Sequence, residues 1–228
     1  LRLSAVLDMF ALHTAFLMIR WFVPCRPLRN LLENIFKETC MTDIFEGSKV
    51  IAAVRSPETF QACLKSNCKV VFLLFGNLLT VPDYIQQLKE HGKSVFVHLD
   101  LIEGLSSSRS SVDYINEKTN ADGIISIKQS LLKYAKSLGF LTVLRIFMLD
   151  SKSIDSLEKI NVENEIDIIE MMPGIVVTVL EKEVAAIKKT IIAGGLIHGV
   201  ENIQQILKSG ASAVSTSDET VWNMQTVS

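Results

Sequence analysis

Short apolar runs alternate with segments of helical periodicity from residue 49 onward. Apolar runs bounded by turn residues are typical of buried strands, and a repeating strand–helix order indicates a parallel sheet. The runs predict eight strands, the number that closes a barrel. The predicted strands are Val50 to Val54, Val70 to Phe75, Ser94 to Leu99, Gly123 to Ser126, Leu141 to Phe147, Ile166 to Glu170, Thr190 to Ala193 and Ser212 to Thr216.

Helix signals lie between these strands. Ser56 stands before Pro57 and Glu58, as an N-cap stands before a proline in the first turn. Several amphipathic runs end at a glycine of the kind that caps helices, namely Gly92, Gly139 and Gly210. We therefore predict an α/β fold, a (β/α)8 TIM-type barrel. The alternative is an open doubly wound sheet, which would need no phosphate site at the ends of its last two strands.

The first 40 residues do not follow this pattern. The run from Met9 to Ile19 is apolar except for His13 and Thr14, yet Asp8 and Arg20 bound it and leave too little length for a membrane-spanning helix of about 20 residues. No small-residue cleavage site follows, as a signal peptide would require. We expect residues 1–40 to be an apolar extension outside the functional domain and residues 41–228 to be the barrel domain. Membrane association is the less favoured interpretation.

Composition narrows the class of protein. The chain has 228 residues, of which 48% are hydrophobic, enough for one barrel. Its formal charge of −2 excludes a general attraction to polyanions, so any nucleic-acid contact must be a local patch. The cysteines show neither metal-ligand nor redox spacing and predict reduced thiols in a cytoplasmic protein without a metal; they are Cys25, Cys40, Cys63 and Cys68.

Two segments near the C-terminal end predict a phosphate site. Residues 191–197 and 211–217 each form an apolar strand that ends in residues with small side chains. Backbone N–H groups just past such strand ends bind anions, and (β/α)8 barrels build a phosphate cup after strands 7 and 8. The predicted phosphate ligands are Gly194, Gly195, Ser215 and Thr216.

Polar residues also follow other strands, where they would lie at the mouth of the barrel. Buried charges are costly unless they are paired or bound to a ligand. Acidic side chains there would accept hydrogen bonds from ligand hydroxyls, and the arginine would neutralise an acid or reach the phosphate. These predicted mouth residues are Asp100, Glu103, Arg145 and Glu170. An ion-pair network without a ligand remains an alternative, and His98 suits a structural role as well as a functional one.

The chain resembles the glycerol-3-phosphate-responsive antiterminator family over residues 44 to 222. The ordered set of segments carries the resemblance, whereas a single Ala-Gly-Gly would be weak support. The segments are Val97 to Gly104, Gly123 to Ser126, Leu144 to Asp150, Asp167 to Gly174, Ala193 to Ile197 and Gly210 to Ser217, with Trp222 closing the pattern. Nothing in the family pattern corresponds to residues 1–40.

This resemblance implies a barrel that binds glycerol 3-phosphate as effector and then binds the leader of a messenger RNA, preventing a terminator hairpin from stopping transcription. It implies no catalytic residues and no cofactor, and it allows a homodimer. The chain departs from the family pattern at Ile127-Lys128, where Thr-Arg is expected, and at His198-Gly199, where Arg-Thr is expected. Both departures alter a basic contact near the mouth.

The residues alone do not predict RNA binding, since the chain has no recognised RNA-binding fingerprint. A lysine patch on one predicted helix is the candidate, formed by Lys128, Lys133 and Lys136, although solvated helices carry lysines in any case. The rival function is a barrel enzyme acting on a phosphorylated small molecule, such as a glycerol-phosphate prenyltransferase. Asp100 and Glu103 would then hold magnesium.

Overall fold

A computed structural model describes residue 45 and residues 49–161 and 164–224. Within these residues, parallel strands follow one another in sequence order around a closed barrel. The last strand returns to the first, with Val214 opposite Val50. This closure confirms the predicted (β/α)8 fold and excludes the open sheet. The strands are β1 Val50–Val54, β2 Val70–Leu73, β3 Ser94–His98, β4 Gly123–Ser126, β5 Leu141–Phe147, β6 Ile168–Met172, β7 Thr190–Gly194 and β8 Ala213–Thr216.

The helices between the strands begin and end largely at the predicted signals. Ser56 caps the first helix, because its hydroxyl accepts a hydrogen bond from the N–H of Thr59 at 3.3 Å. Gly92, Gly139 and Gly210 follow helices with positive φ angles, as predicted. The helices are α1 Pro57–Lys65, α2 Val81–Glu90, α3 Arg109–Lys118, α4 Gln129–Ser137, α5 Ser151–Asn161, α6 Val176–Val179, α7 Glu181–Ala186 and α8 Gly199–Lys208, with 3-10 turns at Leu99–Leu101 and Glu219–Val221.

Strand β6 begins two residues later than predicted, at Ile168. The preceding Asp167 explains the difference, because its carboxylate accepts hydrogen bonds from the N–H of Thr142 at 2.9 Å and from its hydroxyl at 3.0 Å. These side-chain bonds hold residue 167 beside β5 in place of ladder bonds. Lys136 also pairs with Asp167, with 2.6 Å between Nζ and Oδ1.

The strands bury side chains on both faces. One face packs against the helices, and the other fills the interior of the barrel, because successive strand residues point to opposite sides. In the interior the rings of Phe72 and Phe96 lie 5.7 Å apart between centroids. Gly123 leaves room for Phe96, since a Cβ at this position would collide with its ring.

The chain after β8 folds back against the barrel wall. Trp222 is buried, and its indole Nε1 donates to the carbonyl of Thr216 at 2.9 Å. The carbonyl of Trp222 accepts a hydrogen bond from the thiol of Cys68 at 3.2 Å. These contacts hold the segment after β8 against the residues that precede β2.

The predicted N-terminal extension lies outside the described residues, as does its boundary between residues 40 and 41. Cys25 and Cys40 belong to this part, whereas Cys63 and Cys68 are buried and form no disulfide. In the described part of the chain, none of the helices has the length and apolar character to cross a membrane.

We expect Gly123→Ala to lower the free energy of unfolding by about 1–3 kcal/mol, because the added methyl group overpacks the barrel interior. Urea denaturation followed by circular dichroism measures this loss. In a Phe96→Ala background the same substitution should cost less, since the ring atoms that the methyl group meets are gone and only the carbonyl oxygen of Leu141 still crowds it. An equal cost in both backgrounds would show that the Phe96 ring does not set this packing.

Candidate functional site

A cavity of about 510 Å³ opens at the carboxyl ends of the strands. This is the end where (β/α)8 barrels place their ligand sites. Its walls combine cationic, acidic and hydroxyl groups with an apolar rim. The lining residues are Ala53, Arg55, Leu74, Leu101, Arg145, Glu170, Met172, Gly195, Leu196, Ile197, His198, Ser215, Thr216 and Ser217.

Three of the four predicted phosphate residues line this cavity, namely Gly195, Ser215 and Thr216. The hydroxyl of Thr216 is already engaged, since it donates to the carbonyl of Ile197 at 2.8 Å and accepts from the N–H of Asp218 at 3.1 Å. Thr216 therefore fixes the loop after β7 against the loop after β8.

The loop after β7 turns through two residues in the left-handed region. Gly195 has φ +77°, and Leu196 has φ +57°. A leucine there is strained, because its Cβ disfavours this conformation. In the described part of the chain, the N–H groups of Leu196, His198 and Ser217 donate to no protein acceptor. These donors lie beside the cavity and are open to an anion.

A buried ion pair forms the floor of the cavity. Arg145 and Glu170 face each other on β5 and β6, with 8% and 1% of their side chains exposed. The Nε of Arg145 donates to Oε2 of Glu170 at 2.7 Å. The hydrogen bonds of the described residues use only Nε of Arg145 and Oε2 of Glu170, so the terminal nitrogens of Arg145 and Oε1 of Glu170 face the cavity that both residues line. The pair therefore offers both donors and an acceptor to a ligand.

Gly194 does not line the cavity but makes room for this pair. A Cβ at residue 194 would collide with Oε1 of Glu170. The predicted contact of Gly194 with phosphate stays a prediction. Independently of that contact, the carboxylate of Glu170 leaves no space for a side chain at residue 194.

His98 lies buried at the end of β3, beneath the mouth. Burial, together with the positive charge of Arg145, lowers the pKa of His98 to about 4, against a weaker opposing effect of Asp100. Its Nδ1 lies 3.6 Å from Oδ2 of Asp100, and no hydrogen-bond partner reaches it among the described residues. The imidazole is neutral at neutral pH.

Asp100 and Glu103 lie apart from the cavity lining. Asp100 accepts hydrogen bonds from the hydroxyl of Ser107 at 2.5 Å and from the N–H of Ile127 at 3.2 Å. Burial raises the pKa of Asp100, but hydrogen bonds from Ser107, Ser126 and Ile127 outweigh it and leave the pKa below its ordinary value. The backbone of Glu103 pairs with the loop after β2, while its side chain is exposed. The structure brings neither acid to the Arg145–Glu170 pair.

A family model, the glycerol-3-phosphate responsive antiterminator, matches residues 50–222, from the first strand to Trp222. The chain belongs to this antiterminator family. The match spans the whole barrel and includes both segments that are predicted to bind phosphate.

Known relatives support the assignment. The protein YgcP of Escherichia coli K12 is 35% identical over 181 residues, which cover 79% of this chain and 95% of YgcP. The glycerol uptake operon antiterminator regulatory protein of Listeria monocytogenes has a similar structure, with 28% identity, a TM-score of 0.74 and coverage of 79% and 98% of the two chains. A glycerol uptake operon antiterminator-related protein of Thermotoga maritima shows 34% identity, a TM-score of 0.67 and coverage of 78% and 99%.

The lysine patch predicted for an antiterminator's RNA contact is not gathered at one place. Lys128 is exposed and precedes α4 at the mouth, whereas Lys136 lies in the last turn of α4 and pairs with Asp167 at the start of β6. Lys133 is exposed between them. The helix separates Lys128 from Lys136 by eight residues, or about 12 Å along its axis. RNA contact by these lysines stays a prediction.

Arg55 also lies in the cavity wall, although it is not among the predicted site residues. Arg55 is exposed and directly follows β1. The rule that selected Asp100 and Glu170, a charged residue just past an apolar strand, applies equally to Arg55 and would have found it. His198, noted as a departure from the family pattern, also lines the cavity and is 74% exposed.

We expect His98→Gln to reduce the loss of stability of this antiterminator in acid. The folded state lowers the pKa of His98 from 6.5 to about 4, so the unfolded chain binds the proton more readily. The stability due to neutral His98 is complete above pH 6.5 and falls as the pH drops towards 4, by about 2 kcal/mol between pH 8 and pH 5. Urea denaturation at both pH values measures this difference. A variant that keeps the wild-type difference would contradict the assignment.

Proposed function

We propose that this protein is a glycerol-3-phosphate-responsive antiterminator that acts in the cytoplasm on the leader mRNA of glycerol metabolism genes. Glycerol 3-phosphate binds in the cavity at the mouth of the barrel and favours the form that binds RNA. The bound leader then cannot form the terminator hairpin, and transcription continues. Membership of the antiterminator family and the unpartnered donors of the cavity support this function.

The cavity suits both ends of glycerol 3-phosphate. A phosphate monoester carries a charge of about −1.5 to −2 at neutral pH and accepts several hydrogen bonds. The N–H groups of Leu196, His198 and Ser217 supply donors, and Arg55 supplies positive charge. Oε1 of Glu170 is the acceptor for a glycerol hydroxyl, because it lacks a partner among the described residues and lies in the cavity wall.

The arrangement favours sensing over turnover. Glu170 is committed through one oxygen to Arg145, and His98 makes no hydrogen bond to either of them within the described residues. A magnesium site at Asp100 and Glu103, as the rival prenyltransferase would use, lies away from the cavity in which the phosphate would bind. We therefore propose a regulatory ligand rather than a substrate.

Two titrations of the full-length chain test the proposal. In the first, glycerol 3-phosphate is compared with glycerol and inorganic phosphate by thermal shift. At about 100 times its dissociation constant, glycerol 3-phosphate should stabilise the fold by roughly 2.7 kcal/mol. Glycerol and inorganic phosphate at the same concentration should each give a much smaller stabilisation. An unchanged melting temperature at saturating glycerol 3-phosphate would show that this compound is not the effector.

In the second titration, leader RNA is added with and without glycerol 3-phosphate, and binding is followed by fluorescence anisotropy. An effector can shift the equilibrium only if it binds the two states with different affinity, so it must tighten RNA binding if it acts as proposed. Equal RNA affinity in both conditions would disprove the switch while leaving effector binding intact. A scrambled RNA of equal length serves as the control for non-specific attraction.

We expect Arg55→Gln to weaken glycerol 3-phosphate binding about tenfold, because it removes a charge-assisted contact to phosphate. Isothermal titration calorimetry measures the dissociation constant. Arg109→Gln is the matched control, since Arg109 is also exposed but its guanidinium lies 5.0 Å above the ring of Tyr134, outside the cavity wall. Equal affinities of the two variants would show that Arg55 does not contact the phosphate.

A further inference from the structure

The most exposed large apolar side chains of the described residues all lie at or after the carboxyl end of a strand. Exposed apolar groups scattered over a surface are ordinary, but a contiguous patch marks an interaction site. Here the mouth of the barrel is apolar around its rim. The residues are Leu79, Leu101, Ile127, Phe147, Leu149, Ile175, Val179, Leu196 and Val200.

Six of these side chains belong to the ends of three neighbouring strands or to the loops and helices that follow them, and we call them the β5–β7 patch. Backbone hydrogen bonds join the three loops, from the N–H of Met148 to the carbonyl of Met172 at 2.8 Å and from the N–H of Gly174 to the carbonyl of Gly195 at 3.1 Å. The segments that follow β5, β6 and β7 therefore adjoin one another. The patch consists of Phe147, Leu149, Ile175, Val179, Leu196 and Val200.

Leu196 gives the strongest sign that this surface is covered in the working protein. Its backbone lies in the left-handed region at φ +57°, and its side chain is 83% exposed. Strain and apolar exposure are each unfavourable, and a glycine or an asparagine would avoid both. A partner that buries the leucine side chain offsets these costs.

The size of the patch matches one half of a small interface. Six side chains exposed to this extent present on the order of 600 Å² of apolar surface, against about 800 Å² per partner in a stable protein–protein contact. Charged residues of both signs adjoin it in sequence: Asp150 and Lys152 follow Leu149, and Glu201 follows Val200. Charged residues of this kind are typical of the polar rim that surrounds the apolar centre of an interface.

We propose that the β5–β7 patch is the contact between two copies of this chain. The contact is isologous, so that the same loops of each copy face one another across a two-fold axis. It requires no ligand and stands independently of the proposed effector and RNA. Because Leu196 belongs both to the patch and to the cavity wall, the contact lies beside the candidate site.

Sedimentation velocity of the full-length chain over a range of micromolar concentrations tests this inference. We expect a species of twice the 25.4 kDa chain mass. Leu149→Glu and Val179→Glu should each raise the dimer dissociation constant at least about tenfold, because they place a charge in the desolvated centre of the contact. Leu79→Glu is the matched control: Leu79 is 82% exposed and Leu149 is 83% exposed, but Leu79 follows β2, outside the patch.

A wild-type chain that stays monomeric throughout overturns the inference. So does a dimer that resists both patch variants, or one that the Leu79→Glu control weakens equally. Unchanged circular dichroism melting of the variants establishes that they fold. Loss of leader RNA binding in Leu149→Glu, with the wild-type chain monomeric, would assign the patch to RNA and overturn the second copy as its occupant.

Discussion

Two opposite charges, Arg145 and Glu170, are buried side by side at the top of the barrel interior. Removing either partner would leave an uncompensated charge out of water, at a cost of several kcal/mol, so each residue requires the other. Strand register enforces the pairing, because these residues are opposite each other on β5 and β6. Gly194 on the next strand completes the arrangement, since any side chain there would displace the carboxylate.

The pair also determines the electrostatics of its surroundings. Burial, assisted by the charge of Arg145, keeps His98 neutral, so the imidazole adds no further positive charge near Arg145. The arginine uses only its Nε to hold the carboxylate, and the geometry of a guanidinium leaves its terminal nitrogens facing elsewhere. A structural ion pair thus retains the capacity to recognise a ligand, which a fully satisfied pair would lack.

Much of the barrel could be predicted from the sequence, because buried parallel strands read as apolar runs and glycines mark the helix ends. Several strand limits follow from local pattern alone, whereas the preference for a closed barrel over an open sheet depends on the predicted phosphate site after the last two strands. The hydrogen-bond partners of single side chains could not be predicted in this way. Asp100 and Glu170 both lie at the end of an apolar run, yet Ser107 and Ile127 donate hydrogen bonds to Asp100, whereas Glu170 lines the cavity. Similarly, helical spacing grouped Lys136 with Lys128, but Asp167 holds Lys136 at the far end of the helix. Such partners come from distant parts of the chain.

The position of Trp222 gives the molecule an optical property. The chain contains two tryptophans, Trp21 and Trp222, so replacing Trp21 by phenylalanine leaves a single indole. That indole is hydrogen-bonded to the carbonyl of Thr216, a residue of the cavity wall. Indole emission depends on the polarity and hydrogen bonding around the ring. Its fluorescence would therefore report events at the end of β8 from within the protein, without a dye attached to the mouth of the barrel.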